Sequence, residues 1–133
     1  MAKIIDNQLL DSVSELAKVS TRKRKNYNFH ANLDDNVQKL LNAMEPGTEV
    51  PIHRHIETDE AYIVVRGGIK VILYDDSKNV ILEEILKPQL GKFGIDIKAG
   101  QWHTLEVLET GTVIFEVKQG PYQPITDEHI MTL

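Results

Sequence analysis

Three side chains able to bind a metal ion lie close together near the middle of the sequence: His53, His55 and Glu60. Residues two apart in a β-strand point to the same face, so a strand here would present both imidazoles on one side. A turn and a second strand would then bring Glu60 alongside them. Two neutral imidazoles and a carboxylate are suitable ligands for a first-row divalent metal ion. The histidine pair alone is weak evidence, because histidines satisfied by a hydrogen bond are commoner than metal ligands.

Flanking glycines make the pattern more specific. Five residues separate Gly47 from His53, four separate His55 from Glu60, and six separate Glu60 from Gly67. This spacing resembles the first signature motif of the cupin superfamily. The resemblance implies an all-β fold, a cupin jelly-roll β-barrel, in which the two histidines and the glutamate are metal ligands.

The same resemblance implies a third histidine ligand from a second motif nearer the end of the chain. Gly100-Gln101-Trp102-His103 matches that motif, and His103 stands at the ligand position. The second motif departs from the family pattern at three positions that are not ligands: Lys98 replaces a proline, Val107 replaces an asparagine, and the leading glycine is displaced to Gly91 or Gly94. An alternative is that His103 only packs beside Trp102. Glu57 and Asp59 are weaker alternatives to Glu60 as the carboxylate.

The predicted ligands are His53, His55, Glu60 and His103, holding one divalent metal ion. These ligand types accept Fe, Mn, Zn, Ni, Co or Cu. The chain contains no cysteine, which excludes disulfides, thiolate nucleophiles and Cys-built metal sites.

Periodicity indicates a short N-terminal helix followed by strands. Residues 1–20 predict an amphipathic helix, capped by Asp6, with one apolar face formed by Leu9, Leu10, Val13, Leu16 and Ala17. Beyond Ser20 the period is two, and turn residues separate short strands predicted at 22–30, 37–45, 50–56, 60–66, 68–75, 79–86, 93–97, 102–108 and 111–118. We expect one domain over 1–133, with a barrel over 22–118 and a non-strand extension over 119–133, in which His129 is exposed.

A narrower resemblance covers nearly the whole chain. It rests on the Arg22–His30 segment, on 37–44 with 46–48, on Tyr74-Asp75-Asp76 and on 115–122. These segments are similar to the WbuC family of cupin-fold metalloproteins, which are associated with bacterial surface-polysaccharide synthesis and whose reaction is not established. The resemblance implies a family more clearly than an activity.

The segment 22–30 alternates in a way that predicts a polar face. In a strand, Arg22, Arg24, Asn28 and His30 would lie on one side together with Asn26. Arginine binds carboxylate or phosphate in a bidentate manner, and asparagine suits hydroxyl groups. We therefore predict these four residues as ligand-binding for a small anionic metabolite near the metal; a solvated edge strand is the alternative.

Other polar residues carry weaker predictions. His30 is the candidate general base. Glu116 and Lys118 share a face of the last strand, where they either line the cavity or form an exposed cross-strand pair. No nucleophile-elbow or phosphate-binding glycine motif is present.

Composition limits the partners. A net charge of −5 argues against a protein dedicated to nucleic acid. No apolar run reaches transmembrane length and the first ten residues are too polar for a signal peptide, so we expect no membrane partner and a cytoplasmic location. The oligomeric state is open, with a homodimer as one option.

Two classes of function fit these residues. One is a metal-dependent enzyme acting on a sugar-derived anion, by isomerisation or epimerisation through an enediolate-like state, or as an Fe-dependent oxygenase. The other is a non-catalytic, metal-dependent ligand-binding or sensing module. A second ionisable group beside the metal would favour the enzyme, and the sequence alone does not place one.

Overall fold

A computed structural model describes all residues, 1–133. One α-helix precedes ten β-strands, and two 3₁₀ turns lie at Pro88–Leu90 and Asp127–His129. The helix is α1 (Asn7–Val19), and the strands are β1 (Arg24–Asn28), β2 (Val37–Met44), β3 (Ile52–His53), β4 (Glu60–Arg66), β5 (Ile69–Tyr74), β6 (Val80–Leu86), β7 (Gly94–Ile97), β8 (Trp102–Val107), β9 (Thr112–Gln119) and β10 (Ile130–Met131).

The strands form two five-stranded sheets that pack face to face. The first has the order β1-β2-β9-β4-β7 and the second has the order β10-β3-β8-β5-β6. Every strand pair is antiparallel. Consecutive strands such as β2 and β3, or β4 and β5, lie in different sheets, which is the connectivity of a jelly roll. The predicted all-β jelly roll with a short N-terminal helix is confirmed.

Two apolar cores cover the two faces of the first sheet. One lies between the sheets and contains Met44, Tyr62, Val64, Ile69, Val71, Leu86, Ile97, Leu105, Val107 and Ile114. The other lies on the outer face, where α1 packs on Leu41, Ala43 and Val113. Alternate residues of β2 and β9 therefore point into different cores, and both faces of these strands are buried.

The helix begins where Asp6 caps it by accepting a hydrogen bond from the backbone N–H of Leu9 at 3.0 Å. Leu9, Leu10, Val13 and Ala17 are buried against the sheet, as predicted. Leu16 was also predicted on this face and is instead 52% exposed. Ser14 is buried instead, so the contact stripe of α1 is rotated from the predicted face toward Ser14.

Most predicted strands appear within one or two residues of their expected bounds, and three differences matter for the site. The strand predicted at 50–56 shrinks to β3, because only His53 has a strand partner in β8. The strand predicted at 22–30 starts at Arg24, since Lys23 has a φ of +58° and interrupts the extended backbone. The extension after Gly120 was predicted without a strand, yet β10 pairs with β3 and joins the second sheet.

No helix in this chain has the length and apolar character that a bilayer span requires. The cytoplasmic location and the homodimer stay predictions. The single-domain boundaries likewise stay as the sequence predicts them.

Candidate metal centre

The two sheets bring His53, His55, Glu60 and His103 together. His53 ends β3 and lies directly opposite His103 of β8, while Glu60 begins β4 in the other sheet. His55 follows β3 by two residues. One possible ligand atom from each of the four residues lies within 4.8 Å of those of the others. The cluster is therefore compact enough for all four side chains to bind one ion.

Glu60 stands at the middle of the cluster. Its Oε1 lies 3.0 Å from His103 Nε2, and its Oε2 lies 3.2 Å from His55 Nε2. The His53 and His103 rings are 4.3 Å apart between centroids. Glu60 and His103 are almost fully buried, with exposures of 4% and 1%, so water has little access to this side of the cluster.

Backbone carbonyls orient two of the imidazoles. His53 Nδ1 lies 2.7 Å from the carbonyl oxygen of Pro51, and His103 Nδ1 lies 2.8 Å from that of Gln101. A carbonyl can only accept, so each Nδ1 carries the proton and donates it. With Nδ1 held by a carbonyl, Nε2 is the ring nitrogen left to coordinate a metal ion, which is the arrangement that metal-binding histidines use.

A tyrosine supports the carboxylate. Tyr62, two residues along β4, donates a hydrogen bond from its hydroxyl to Glu60 Oε1. Burial, with the nearby Glu60 carboxylate, raises the pKa of Tyr62 well above its usual range, so it remains a donor. This contact helps to fix the rotamer of Glu60 through the same oxygen that lies beside His103.

The electrostatics of the cluster favour ligand-ready protonation states. Burial, reinforced by the neighbouring His103 imidazole, lowers the pKa of His53 to about 4. Burial alone would raise the pKa of Glu60, but hydrogen bonds with His103 and His55 outweigh it and hold that pKa well below its usual range. A neutral His53 and an ionised Glu60 are the forms that bind a divalent cation.

The donor set fits a first-row divalent metal ion. Three imidazoles and one carboxylate converge, two imidazoles have their second nitrogen occupied by a carbonyl, and the carboxylate has its own donor. The other carboxylates considered from the sequence lie elsewhere. Glu57 is exposed, and Asp59 accepts a hydrogen bond from the backbone N–H of Ala99 at 2.8 Å.

The motif glycines hold turns that other residues would strain. Gly47 has a φ of +91° and Gly67 a φ of +81°, in the left-handed region that favours glycine. A Cβ at position 67 would also collide with Thr112 Oγ1. The two glycines therefore set the turns before β3 and after β4, the strands that carry His53 and Glu60.

The second motif holds its histidine despite its departures from the family pattern. The backbone N–H of Gly100 donates to the carbonyl of His55 at 2.7 Å, which joins the two motifs directly. Trp102 points away from the cluster, donates to Asp76 through Nε1 at 3.0 Å, and stacks under the Arg54 guanidinium. His103 therefore faces the cluster, while the aromatic residue next to it stabilises the outer side of the strand.

The polar strand runs along the edge of the first sheet. In β1, Arg24 lies opposite Met44 and Asn26 opposite Asn42, so these side chains share the inner face of the sheet. Tyr27 and Phe29 lie on the outer face and pack with the helix core. The alternation predicted from the sequence thus describes β1 from Arg24 onward.

Arg22 and Arg24 line the same open cleft. This arginine cleft has a volume of about 430 Å³ and is formed by Ser20, Arg22, Arg24, Lys25, Asn26 and Asn42. The same two arginines also border a neighbouring opening near Gly47. Burial and the second guanidinium lower the pKa of Arg24, and the Glu116 carboxylate opposes that shift.

Asn28 and His30, predicted with these arginines, are not among the residues that form the arginine cleft. Asn28 is exposed. The Nδ1 of half-buried His30 lies 3.2 Å from the backbone nitrogen of Lys39, which donates to it. His30 therefore lies in the connection between β1 and β2, outside the metal cluster.

Glu116 is a buried acid on the inner face of the first sheet. It is 9% exposed and accepts a hydrogen bond from Asn42 Nδ2 at 3.2 Å. Burial, with the nearby Glu60 carboxylate, raises its pKa, and Lys118 and Asn42 partly oppose this. The sequence placed Glu116 either in the cavity or in an exposed pair, and the structure buries it on the inner face.

A second cavity reaches His55 from the side of the tail. Its volume is about 430 Å³, and its walls include Arg54, Lys118, Tyr122 and His129. His129 was predicted to be exposed and is half-buried, because the tail folds back and its carbonyl accepts a hydrogen bond from the Arg54 backbone.

Solved structures with similar folds place this architecture among the cupins. The capsular polysaccharide assembling protein CapF from Staphylococcus aureus is 22% identical with a TM-score of 0.61, over 74% of this chain and 27% of its own. KdgF from Halomonas sp. is 16% identical with a TM-score of 0.59, over 75% and 80%. A cupin superfamily protein from Desulfitobacterium hafniense DCB-2 is 14% identical with a TM-score of 0.61, over 80% and 86%. At these identities the likeness shows the fold, and the chain has a cupin fold.

This chain matches only about a quarter of the length of CapF. Comparison with curated protein sequences finds no match. The sequence model of a family described as a domain of unknown function (DUF6016) matches residues 5–86.

Proposed function

This chain belongs to the DUF6016 family and has a cupin fold, and we propose that it holds one divalent metal ion and binds or acts on an anionic, sugar-derived small molecule. One observation carries the proposal: the buried cluster of three imidazoles and a carboxylate includes Glu60 on the first sheet, whose inner face also carries Arg24, and Arg24 lines a cleft together with Arg22. The cluster supplies the metal ligands, and the arginines supply the anion site.

The arginines support an anionic ligand because their position is electrostatically costly without one. The chain has a net charge of −5, yet burial and the neighbouring Arg22 guanidinium lower the pKa of Arg24, and the Glu116 carboxylate opposes that shift. A bound carboxylate or phosphate would relieve that repulsion and accept bidentate hydrogen bonds from a guanidinium.

The likenesses support a sugar-derived ligand. Sequence segments across the chain resemble the WbuC family, which is associated with surface-polysaccharide synthesis. CapF, described as a capsular polysaccharide assembling protein, has a region of similar fold. We therefore propose membership of the WbuC-like cupins and a role linked to surface-polysaccharide metabolism.

The residues of the site favour an enzyme over a passive binding module. A metal ion held there would supply Lewis-acid polarisation of a ligand oxygen. Glu116 is the second ionisable group that this choice calls for: it is buried, its pKa is raised, and it lies within electrostatic range of Glu60 and His55. In that position Glu116 can accept or return a proton, while the Tyr62 hydroxyl orients Glu60.

A charge-matched pair of variants tests the anion site. We expect Arg22→Ala with Arg24→Ala to keep its metal content and melting temperature, and to lose about tenfold or more in affinity for glucose 6-phosphate or glucuronate by calorimetry. The control is Lys18→Ala with Lys70→Ala, which removes the same charge from residues that do not line the cleft.

Equal affinity in the arginine variant and the control would refute the anion site. Oxygen consumption by the Fe(II)-loaded protein would indicate an oxygenase. Tight anion binding without turnover of sugar phosphates or sugar nucleotides would direct it to a ligand-binding or sensing module.

A further inference from the structure

Asn42 and Glu116 connect the metal cluster to the arginine cleft. Asn42 is one of the residues that form the cleft, and its Nδ2 donates to Glu116 Oε1 at 3.2 Å. Glu116 lies directly opposite Tyr62, whose hydroxyl donates to Glu60 of the cluster, while Asn42 lies opposite Asn26 of the cleft. The pair therefore lies within reach of both ends of the site.

The hydrogen bond between Asn42 and Glu116 satisfies these polar groups only in part. Asn42 Oδ1 is buried and accepts no hydrogen bond. Apolar residues occupy most neighbouring inward positions, with Leu40 and Met44 flanking Asn42 and Ile114 preceding Glu116, while Lys118 follows Glu116. Burying an amide oxygen and a carboxyl among apolar side chains destabilises a protein unless a partner satisfies them. A ligand that donates hydrogen bonds is such a partner.

The free hydrogen-bond acceptors of Asn42 and Glu116 define the chemistry of that ligand. Asn42 Oδ1 has free acceptor capacity, and a carboxylate has acceptor sites beyond the one that Asn42 Nδ2 uses. Asn26, directly opposite Asn42 on β1, adds a further amide at the cleft. Acceptors grouped in this way match neighbouring hydroxyl groups, which donate one hydrogen bond each.

We propose that Asn42 and Glu116 form a hydroxyl-recognition site between the metal centre and the arginine cleft, and that the ligand is a polyhydroxylated anion, a sugar acid or a sugar phosphate. The proposal rests on the proposed function, because the arginines hold the anionic end of the same ligand. It adds the residues that distinguish a hydroxylated anion from a bare one.

The experiment compares anions of equal type with and without hydroxyl groups. Calorimetry on metal-loaded protein measures glucose 6-phosphate against methyl phosphate, and gluconate against acetate. The variants are Asn42→Leu and Glu116→Gln, which keep side-chain size, with Glu106→Gln as the control for loss of an exposed carboxylate on the second sheet.

We expect the wild type and the Glu106 variant to bind each hydroxylated anion about tenfold or more tightly than its bare counterpart, as two or more added hydrogen bonds allow. Both site variants should reduce that preference to about threefold or less while retaining affinity for methyl phosphate. An unchanged preference in the variants would overturn the hydroxyl site, and so would a wild type without preference.

The arginine variant separates this proposal from the proposed function. If the Arg22, Arg24 double variant loses methyl phosphate binding and the wild type shows no preference for hydroxylated anions, the anion site is supported. The same result refutes the hydroxyl site. If the metal-loaded wild type binds none of these anions, both the anion site and the hydroxyl site are refuted.

Discussion

Replacing His53 with glutamine should remove a specific part of the protein's acid sensitivity. Burial and His103 lower the pKa of His53 from 6.5 to about 4. Between these two values the unfolded chain binds a proton that the folded protein does not. The free energy of unfolding contributed by His53 is therefore fully present above 6.5 and is lost as the pH falls toward 4.

The size of the effect follows from the two pKa values. His53 is only 8% exposed, so solvent screening reduces its contribution to the free energy of unfolding very little. Each pKa unit of separation corresponds to about 1.4 kcal/mol, and the shift from 6.5 to about 4 gives about 3 kcal/mol in all. At about pH 5, some 2 kcal/mol of this would already be lost relative to about pH 7.5.

Urea denaturation of chelator-treated, metal-free protein at these two pH values measures the loss. Between these two pH values, we expect the free energy of unfolding of His53→Gln to fall about 2 kcal/mol less than that of the wild type. The margin on this difference is about 1.4 kcal/mol, which corresponds to one pKa unit. His129→Gln, which lies outside the cluster, should keep the wild-type dependence. If the His53 variant and the wild type lose the same free energy, His53 is not held neutral by burial.

Four further variants test the surroundings of the site and the packing of α1. Tyr62→Phe removes the donor to Glu60 and should weaken metal affinity about 10- to 100-fold in competition with a chelator, with the fold retained by circular dichroism; unchanged affinity would deny the tyrosine a supporting role. Glu116→Gln should raise the melting temperature at neutral pH, because folding no longer buries an acid whose pKa is raised, and this gain should shrink as the pH falls toward 4.5; a gain independent of pH would contradict the electrostatic cause. Leu10→Ala should lower the free energy of unfolding by about 2–5 kcal/mol and Leu16→Ala by about 0.5 kcal/mol or less in urea titrations, and equal losses would contradict the orientation of α1.

Local pattern predicts most of the strands because alternation and turn residues act over a few neighbours. The predicted and observed bounds coincide at Glu60–Arg66, and the helix cap at Asp6 is confirmed. The short strand β10 could not be predicted, since two residues pair with β3 only after the tail has folded back. Lys23 was missed because a left-handed backbone at a lysine has no sequence signal.

The metal cluster could be predicted as a group because its spacing encodes the geometry. His53, His55 and Glu60 lie within one hairpin-sized segment, and His103 follows from the second motif. Their binding of a metal stays a prediction. The role of Asn42 and Glu116 could not be inferred, because α1 covers the outer face of the first sheet and leaves both faces of β2 and β9 apolar. Alternation then does not tell which face is the interior of the barrel.

Metal analysis of protein purified without a metal-affinity tag tests the central claim most directly. The wild type should contain about one equivalent of a first-row divalent metal, since four ligands surround one position. The His53→Ala, His55→Ala double variant, with only Glu60 and His103 remaining, should contain none above background. A full equivalent of metal in that variant, or a wild type that binds none after incubation with Mn²⁺, Fe²⁺, Co²⁺, Ni²⁺, Cu²⁺ or Zn²⁺, would contradict the account.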